Sequence, residues 1–189
     1  FRPREIPGGD AVAYVSAGIR AMPLTHAVRV RVQGPAPADL DATPAQLVTA
    51  LGDEAMGTMT AKGPAAGGTR YEAERELDPL VAGQIVSRAE HVVVKVRSSV
   101  WLGEDGWVID RFLGADSPLL MAEVERDSPV VDLAIPTFCS TEVSEDDRFR
   151  NEYLAHHPFG SWSDAYLREL GSRGPAFVDS LGQNRFDGA

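Results

Sequence analysis

The chain has 189 residues, enough for one sizeable domain, and its 43% hydrophobic and 24% charged content is that of an ordinary globular protein rather than a disordered one. A formal net charge of -10 argues against general nucleic-acid binding, which draws on an excess of exposed Lys and Arg. Cys139 is the single cysteine, which excludes an intrachain disulfide or a cysteine-rich zinc site, and no apolar stretch approaches the roughly 18–20 residues of a membrane-spanning helix.

Nothing at the start has the basic-then-apolar pattern of a signal peptide, so a cytoplasmic location is the simplest expectation. Thirteen prolines and eighteen glycines punctuate short runs, which favours many strands joined by turns over a helical bundle. After a Pro/Gly-rich entry, Ala11 to Met22 reads as a strand that stops at Pro23. Val28-Arg29-Val30-Arg31-Val32 alternates strictly, placing three valines on one face and two arginines on the other. The stretch 35–57 is a Pro/Ala/acidic insertion in which Thr43-Pro44 opens a short helix with Leu47, Val48 and Leu51 on one side, positioned to lid one mouth of a barrel.

Strands are expected again over Gly57 to Lys62, where Thr58, Thr60 and Lys62 share a face, and over Arg70 to Leu77, where Arg70, Glu72, Glu74 and Glu76 do. Asp78-Pro79 caps a helix to about Glu90 that would bury Leu80, Val81, Ile85 and Val86. His91 to Ser99, Trp107 to Phe112 and Leu119 to Glu125 follow as strands whose short links require antiparallel neighbours. A last strand, Phe138 to Val143, leads to helices Glu145 to Ala155 and Ser163 to Leu170. These elements make residues 1–170 one domain, with helices over 145–170 and a Gly/Ser-rich, loose tail over 171–189.

Strand after strand pairs an apolar face with one carrying full charges of both signs: Arg29 and Arg31, Lys62, Arg70, Glu72 and Glu74, Lys95 and Arg97, Asp110, then Glu123 and Glu125. For one strand, a solvated outer face explains such a pattern. Repeated over five or six strands, with apolar helices available as a shell, it points to an α+β fold, mainly antiparallel: a closed or nearly closed β-barrel whose lumen is charged and whose helices are peripheral. Buried charges of both signs need partners, and a metal-bound triphosphate supplies them, Lys and Arg meeting phosphate oxygens while carboxylates hold Mg²⁺ or Mn²⁺.

These residues resemble the CYTH domain of the triphosphate tunnel metalloenzymes, a family that includes inorganic tripolyphosphatases, thiamine triphosphatases and class IV adenylate cyclases. Val28-Arg29-Val30-Arg31 resembles its basic motif, Thr60-Ala61-Lys62 its T-x-K strand, Arg70-Tyr71-Glu72-Ala73-Glu74 its R-x-E-x-E strand and Lys95-Val96-Arg97 its K-x-R strand. Asp110 precedes Leu120-Met121-Ala122-Glu123-Val124-Glu125, similar to the family's L-x-x-A-E-V-E segment, and Glu142-Val143-Ser144 through Arg148-Phe149-Arg150-Asn151 is similar to its bacterial ending. The family's opening E-x-E-x-K strand is missing from this sequence, Phe1 matching the residue directly after its lysine.

The resemblance implies a metal-dependent triphosphate hydrolase acting on a small-molecule triphosphate or polyphosphate by in-line attack of water. Arg29, Arg31, Lys62, Lys95, Arg97 and Arg148 would bind phosphate, Glu72, Glu74, Glu123, Glu125 and Glu142 would bind metal, and Lys62, Arg97 and Asp110 would be catalytic. It leaves two alternatives open: a cyclase, in which the ribose 3′-oxygen attacks the α-phosphate, and a protein that binds polyphosphate without turnover.

The remaining candidates have plainer readings. His26, His91, His156 and His157 stand at element ends without ligand spacing, and Cys139 reads as a small packed residue. Trp101 and Trp107 flank a turn and are expected to pack, and Trp162 to anchor the last helix.

Overall fold

Alternation in the sequence becomes two differently populated faces of one antiparallel sheet. The structure, a computed structural model, describes residues 11–19, 27–63, 72–103, 105–124, 133–177 and 185–186. Its strands are β1 (Ala11–Ile19), β2 (Ala27–Pro35), β3 (Met56–Lys62), β4 (Glu72–Leu77), β5 (Val92–Leu102), β6 (Asp105–Phe112) and β7 (Leu120–Val124). They hydrogen-bond in the order β4-β3-β2-β1-β5-β6-β7, each pair antiparallel, so β1 joins two meanders. The β5–β6 link is tight: Leu102 pairs with Asp105, and Gly103 at φ 63° supplies the left-handed residue of the turn. Arg70 and Glu125, both expected on strands, lie outside the described residues.

Residues directly opposite in an antiparallel pair share a face, so the register carries the valine face of β2 across the sheet. Val30, Val32 and Val94 are buried there beneath two helices, α1 (Pro44–Ala50) and α2 (Pro79–Arg88), where Leu47, the α1 C-cap Leu51, Ala82 and Val86 meet them. Both helices begin as their sequences dictate. Thr43 and Gln46 form a reciprocal capping box ahead of Pro44, and the Asp78 carboxylate accepts from the Leu80 and Val81 amides at 2.9 and 3.1 Å ahead of Pro79.

Two expectations change here. The 35–57 insertion places α1 on the outer apolar face rather than over a mouth, because Leu47 and Leu51 find Val30, Val32 and α2 there. In α2 the buried side is Ala82, Gly83 and Val86, while Leu80 is 78% and Val81 47% exposed. Close approach decides the rotation: a Cβ on Gly57 would meet the Ala82 Cβ at 2.8 Å, and one on Gly83 would meet Val48 at 2.8 Å. Small residues admit the helix where the larger apolar ones do not fit.

The C-terminal third packs against the opposite face. The expected Phe138–Val143 strand is irregular, its Thr141 hydroxyl and Glu142 amide both donating to the Ala176 carbonyl, and the expected Glu145–Ala155 helix divides into a 3-10 turn (Asp147–Phe149) and α3 (Asn151–His156). Asp146 causes the division by accepting from the Arg148 amide at 3.1 Å, which caps the turn locally. α4 spans Ser163–Arg173, past Leu170, and ends where Gly174 takes φ 79°. Short strands β8 (Ala134–Ile135) and β9 (Arg185–Phe186) pair in parallel, so part of the tail is ordered against the body.

Phe149, Leu154, Phe159 and Tyr166 of this third form a second core with Val93, Phe112 and Leu119, and Trp162 joins its edge as expected, its indole donating to the His157 carbonyl at 2.8 Å. Gly57→Ala should lower stability by roughly 1–3 kcal/mol, the usual penalty for overpacking, since its Cβ would also lie 2.5 Å from the Leu77 carbonyl oxygen. Urea denaturation checks this, and an unchanged midpoint would show that α2 is free to retreat.

Candidate active site

Register alone assembles the second face. Reading across the sheet, β4 contributes Glu72, Glu74 and Glu76, β3 contributes Thr58, Thr60 and Lys62, β2 contributes Arg29, Arg31 and Gln33, β5 contributes Lys95 and Arg97, β6 contributes Asp110, and β7 contributes Glu123. The same parity places Val93, Phe112 and Met121 on this face at one end, where the second core covers them. The charged face is therefore roofed at that end by the C-terminal helices.

Cross-strand pairs organise the charges. Lys62 Nζ lies 2.8 Å from a Glu72 oxygen, and the Thr60 hydroxyl, itself buried, donates to Glu74 at 2.9 Å. Asp110 has no exposure to water and receives three donors: Lys95 Nζ, Arg97 Nε at 2.7 Å and Arg97 Nη2 at 2.6 Å. Arg97 Nη2 also reaches Glu123 at 3.4 Å, linking β5, β6 and β7. Burial by itself would raise the Asp110 pKa, but the Arg97 hydrogen bonds and the Lys95 charge outweigh it and hold the carboxyl below its ordinary range. Burial pushes the Lys95 ammonium below the ordinary lysine value, with Asp110 opposing and Arg97 adding to the shift.

Arg29 lies on β2, between β1 and β3. Its Nε is shielded from water and has no acceptor among the described residues. Burial lowers its pKa and neighbouring Arg31 lowers it further, while Glu74 and Glu72 counteract, so these four groups share one electrostatic environment. Gln33 and Thr58 belong to the same place: each has a side-chain oxygen buried without a hydrogen-bond partner among the described residues. Neither was a sequence candidate, although their parity with Arg31 on β2 and Thr60 on β3 was the available signal.

Other candidates stand apart. Arg148 is held by Asp146 (Nη2–Oδ2 2.6 Å) and Glu169 (Nη1–Oε2 3.0 Å), with its guanidinium 5.7 Å from the Trp162 ring and 5.3 Å from the Tyr166 ring, so it braces the aromatic roof. These pairings raise its pKa. Glu142 sits on the irregular segment beside Ala176, not on the sheet. Cys139 is half-buried, and burial pushes its thiol up to about 11, in keeping with a packed and unreactive side chain. Trp107 is buried as expected, but Trp101 is 76% exposed, a correction to the reading that both pack.

The oxygen-only donors of the sheet suit a hard divalent cation. Among the described residues, however, no three Asp, Glu, His or Cys groups gather at one point, and Glu72, Glu74 and Glu123 each face a cation or a hydroxyl across the strands. The described carboxylates do not make up a metal site by themselves.

Because the folded pKa of Asp110 lies below its unfolded value, its stabilisation is complete above the unfolded value and is lost as pH falls through the folded one. Asp110→Asn should cost about 3–5 kcal/mol near neutral pH, since it leaves two cations buried without their anion. Adding Lys95→Met should recover part of that loss, and the gap between wild type and Asp110→Asn should narrow in acid. Urea titrations across pH test all three expectations, and a variant as stable as wild type at neutral pH would contradict the buried pairing.

No protein-family model matches the chain. An inorganic triphosphatase of Acetivibrio thermocellus is 28% identical over 110 residues, covering 57% of this chain and 70% of that protein. Two solved structures of NE1496, one described as a hypothetical protein and the other as an inorganic triphosphatase, each superpose with a TM-score of 0.52 at 24% identity over 80% of this chain and 90% of theirs. This chain accordingly shares the fold of the inorganic triphosphatase NE1496.

Proposed function

We propose that this protein hydrolyses a triphosphate on the charged face of its sheet. The observation that carries the reading is the convergence of Arg29, Arg31, Lys62, Lys95 and Arg97 on one face, with Arg29 Nε buried and lacking an acceptor among the described residues. A polyphosphate supplies acceptors for such cations, and the likeness to the inorganic triphosphatase of Acetivibrio thermocellus supports the same reaction. The sheet, with β4 and β7 at its ends among the described residues, closes in this reading into a barrel that surrounds the substrate.

The chain's own groups then divide the work. Lys95, Arg97 and Lys62 neutralise the oxygens of the phosphoryl group being transferred, while Arg29 and Arg31 hold the rest of the phosphate chain. Water attacks the terminal phosphorus in line as the bond to the bridging oxygen breaks, releasing phosphate and leaving a diphosphate. Alignment and charge neutralisation carry most of the catalysis in such a transfer. Asp110 is a poor base here, since its carboxylate is held ionised by three donors; it sets the aim of Lys95 and Arg97. Arg148 acts through the roof it braces.

Mg²⁺ or Mn²⁺ is the cofactor in this reading; Glu123 and Glu125 would hold it with help from Glu72 and Glu74, and when bound it would neutralise phosphate charge. A cytoplasmic setting fits the lone cysteine, and among the described residues no helix is long and apolar enough to cross a membrane.

Phosphate release from tripolyphosphate, ATP and thiamine triphosphate with Mg²⁺ or Mn²⁺ tests the reaction, and silence on every substrate rejects it. Glu123→Gln combined with Glu125→Gln should reduce metal-dependent release to background while leaving the thermal midpoint near that of wild type. Undiminished release would place the metal ligands elsewhere.

A further inference from the structure

The charged face is not charged throughout. Along β2 it runs Arg29, Arg31, Gln33, and along β3 it runs Lys62, Thr60, Thr58. Thr58 is directly opposite Arg31 in the register, and Gln33 is its diagonal neighbour on β2. Gln33 is in register with Tyr14 of β1, and Tyr14 with Lys95 of β5, so Gln33 and Lys95 share a row two strands apart, about 10 Å at the usual strand spacing. Arg31 is two residues away along β2, about 7 Å. Gln33 therefore stands where two groups of cations meet, Arg29 with Arg31 on one side and Lys95 with Arg97 on the other, and Thr58 flanks the first group.

Both neutral residues have a side-chain oxygen shielded from water with no hydrogen-bond partner among the described residues. Polar atoms buried in that state cost stability, so two of them side by side call for a ligand group that completes them. The Thr58 hydroxyl can turn its proton toward any acceptor that arrives. No described donor fixes Gln33 Oε1, so the carboxamide can present its N–H groups instead. Arg29 Nε, four residues along the same strand from Gln33, likewise lacks an acceptor among the described residues. An ionised polyphosphate carries acceptor oxygens along its whole length and so matches all three groups at once.

We infer that Gln33 and Thr58 are catalytic contacts of the leaving diphosphate, neutral donors that receive the charge released when the phosphate chain is cut. The inference rests on the triphosphate reading, in which Lys95 and Arg97 hold the phosphoryl group being transferred and Arg29 and Arg31 hold the rest. As the water oxygen bonds to the terminal phosphorus, the bond from that phosphorus to the bridging oxygen breaks, and its electron pair stays on the bridging oxygen. That oxygen lies between the two groups of cations, over Gln33, whose N–H donates to it, while the Thr58 hydroxyl donates to a diphosphate oxygen beside Arg31. One proton of the water stays on the new phosphate and the other passes to a second oxygen of the same phosphate, so no side-chain base is consumed. Charge on the leaving oxygen grows toward the transition state, and these hydrogen bonds strengthen there rather than in the bound substrate.

Steady-state phosphate release from tripolyphosphate and ATP, with Mg²⁺ or Mn²⁺, tests the assignment in wild type, Gln33→Met, Thr58→Val and Thr58→Ser, with thermal midpoints measured in parallel. Gln33→Met should lower kcat roughly 100-fold, the usual loss for one preorganised donor, with KM nearly unchanged. Thr58→Val should also lose kcat rather than KM, and Thr58→Ser, which keeps the hydroxyl, should stay close to wild type. Midpoints of Gln33→Met and Thr58→Val should equal or exceed that of wild type, because each exchanges an unpartnered buried polar atom for an apolar one. Full kcat in both variants, a loss confined to KM, or midpoints lowered in step with activity would overturn the assignment and leave the hydrolase reading intact. A wild type that cleaves neither triphosphate removes the hydrolase reading and this assignment with it.

Discussion

A carboxylate wholly removed from water, Asp110, receives Lys95 and both Nε and Nη2 of Arg97, and the rest of the charged face is arranged around that contact. Burying one ion alone costs several kcal/mol, so neither the acid nor the lysine is tolerable at its position without the other. The pairing is possible only because β5 and β6 are in the register that sets Arg97 opposite Asp110. A slip of one residue would turn every charge on these strands to the side covered by α1 and α2 and every valine to the opposite side.

Two apolar cores on opposite sides of the sheet enforce that register. On the outer side, α1 and α2 lie over the valines of β2 and β5, drawn close by Gly57, Ala82 and Gly83. On the inner side, an aromatic cluster covers only the end marked by Val93 and Phe112. Buried Asp116 ties that cluster to the sheet by accepting from the Phe159 amide at 2.8 Å, while a Cβ on Gly160 would collide with the Ala115 carbonyl oxygen at 2.8 Å. Asp146, Arg148 and Glu169 knit the helices of the roof together.

One face therefore holds cations in environments that differ by depth. Lys95 is neutralised and nearly dry, Arg97 is shared between Asp110 and half-exposed Glu123, and Arg29 is shielded without an acceptor for its Nε among the described residues. Fixed, partly desolvated charges of this kind interact with phosphate more strongly than solvated ones and need little reorganisation when it arrives. Exposure along this face of β5 rises from Val93 and Lys95, at 2% and 7%, to Trp101 at 76%.

The amino-acid order by itself determined the seven strands of the large sheet, the cap residues Thr43 and Asp78, and which side chains share a face, because alternation and capping are local properties read over a few residues. It also identified Arg29, Arg31, Lys62, Lys95, Arg97 and Asp110 as one set, since charge repeated at every second position on strand after strand is visible without coordinates. Which flank of α2 is buried, where α1 lies, how Arg148 is held and whether Trp101 packs were decided only by tertiary structure. The first three depend on the size and position of a neighbour distant in sequence: Gly57 admitting Ala82, Val30 receiving Leu47, Glu169 reaching Arg148. Steric fit between remote residues has no periodic signature, so it emerges only when the chain has folded.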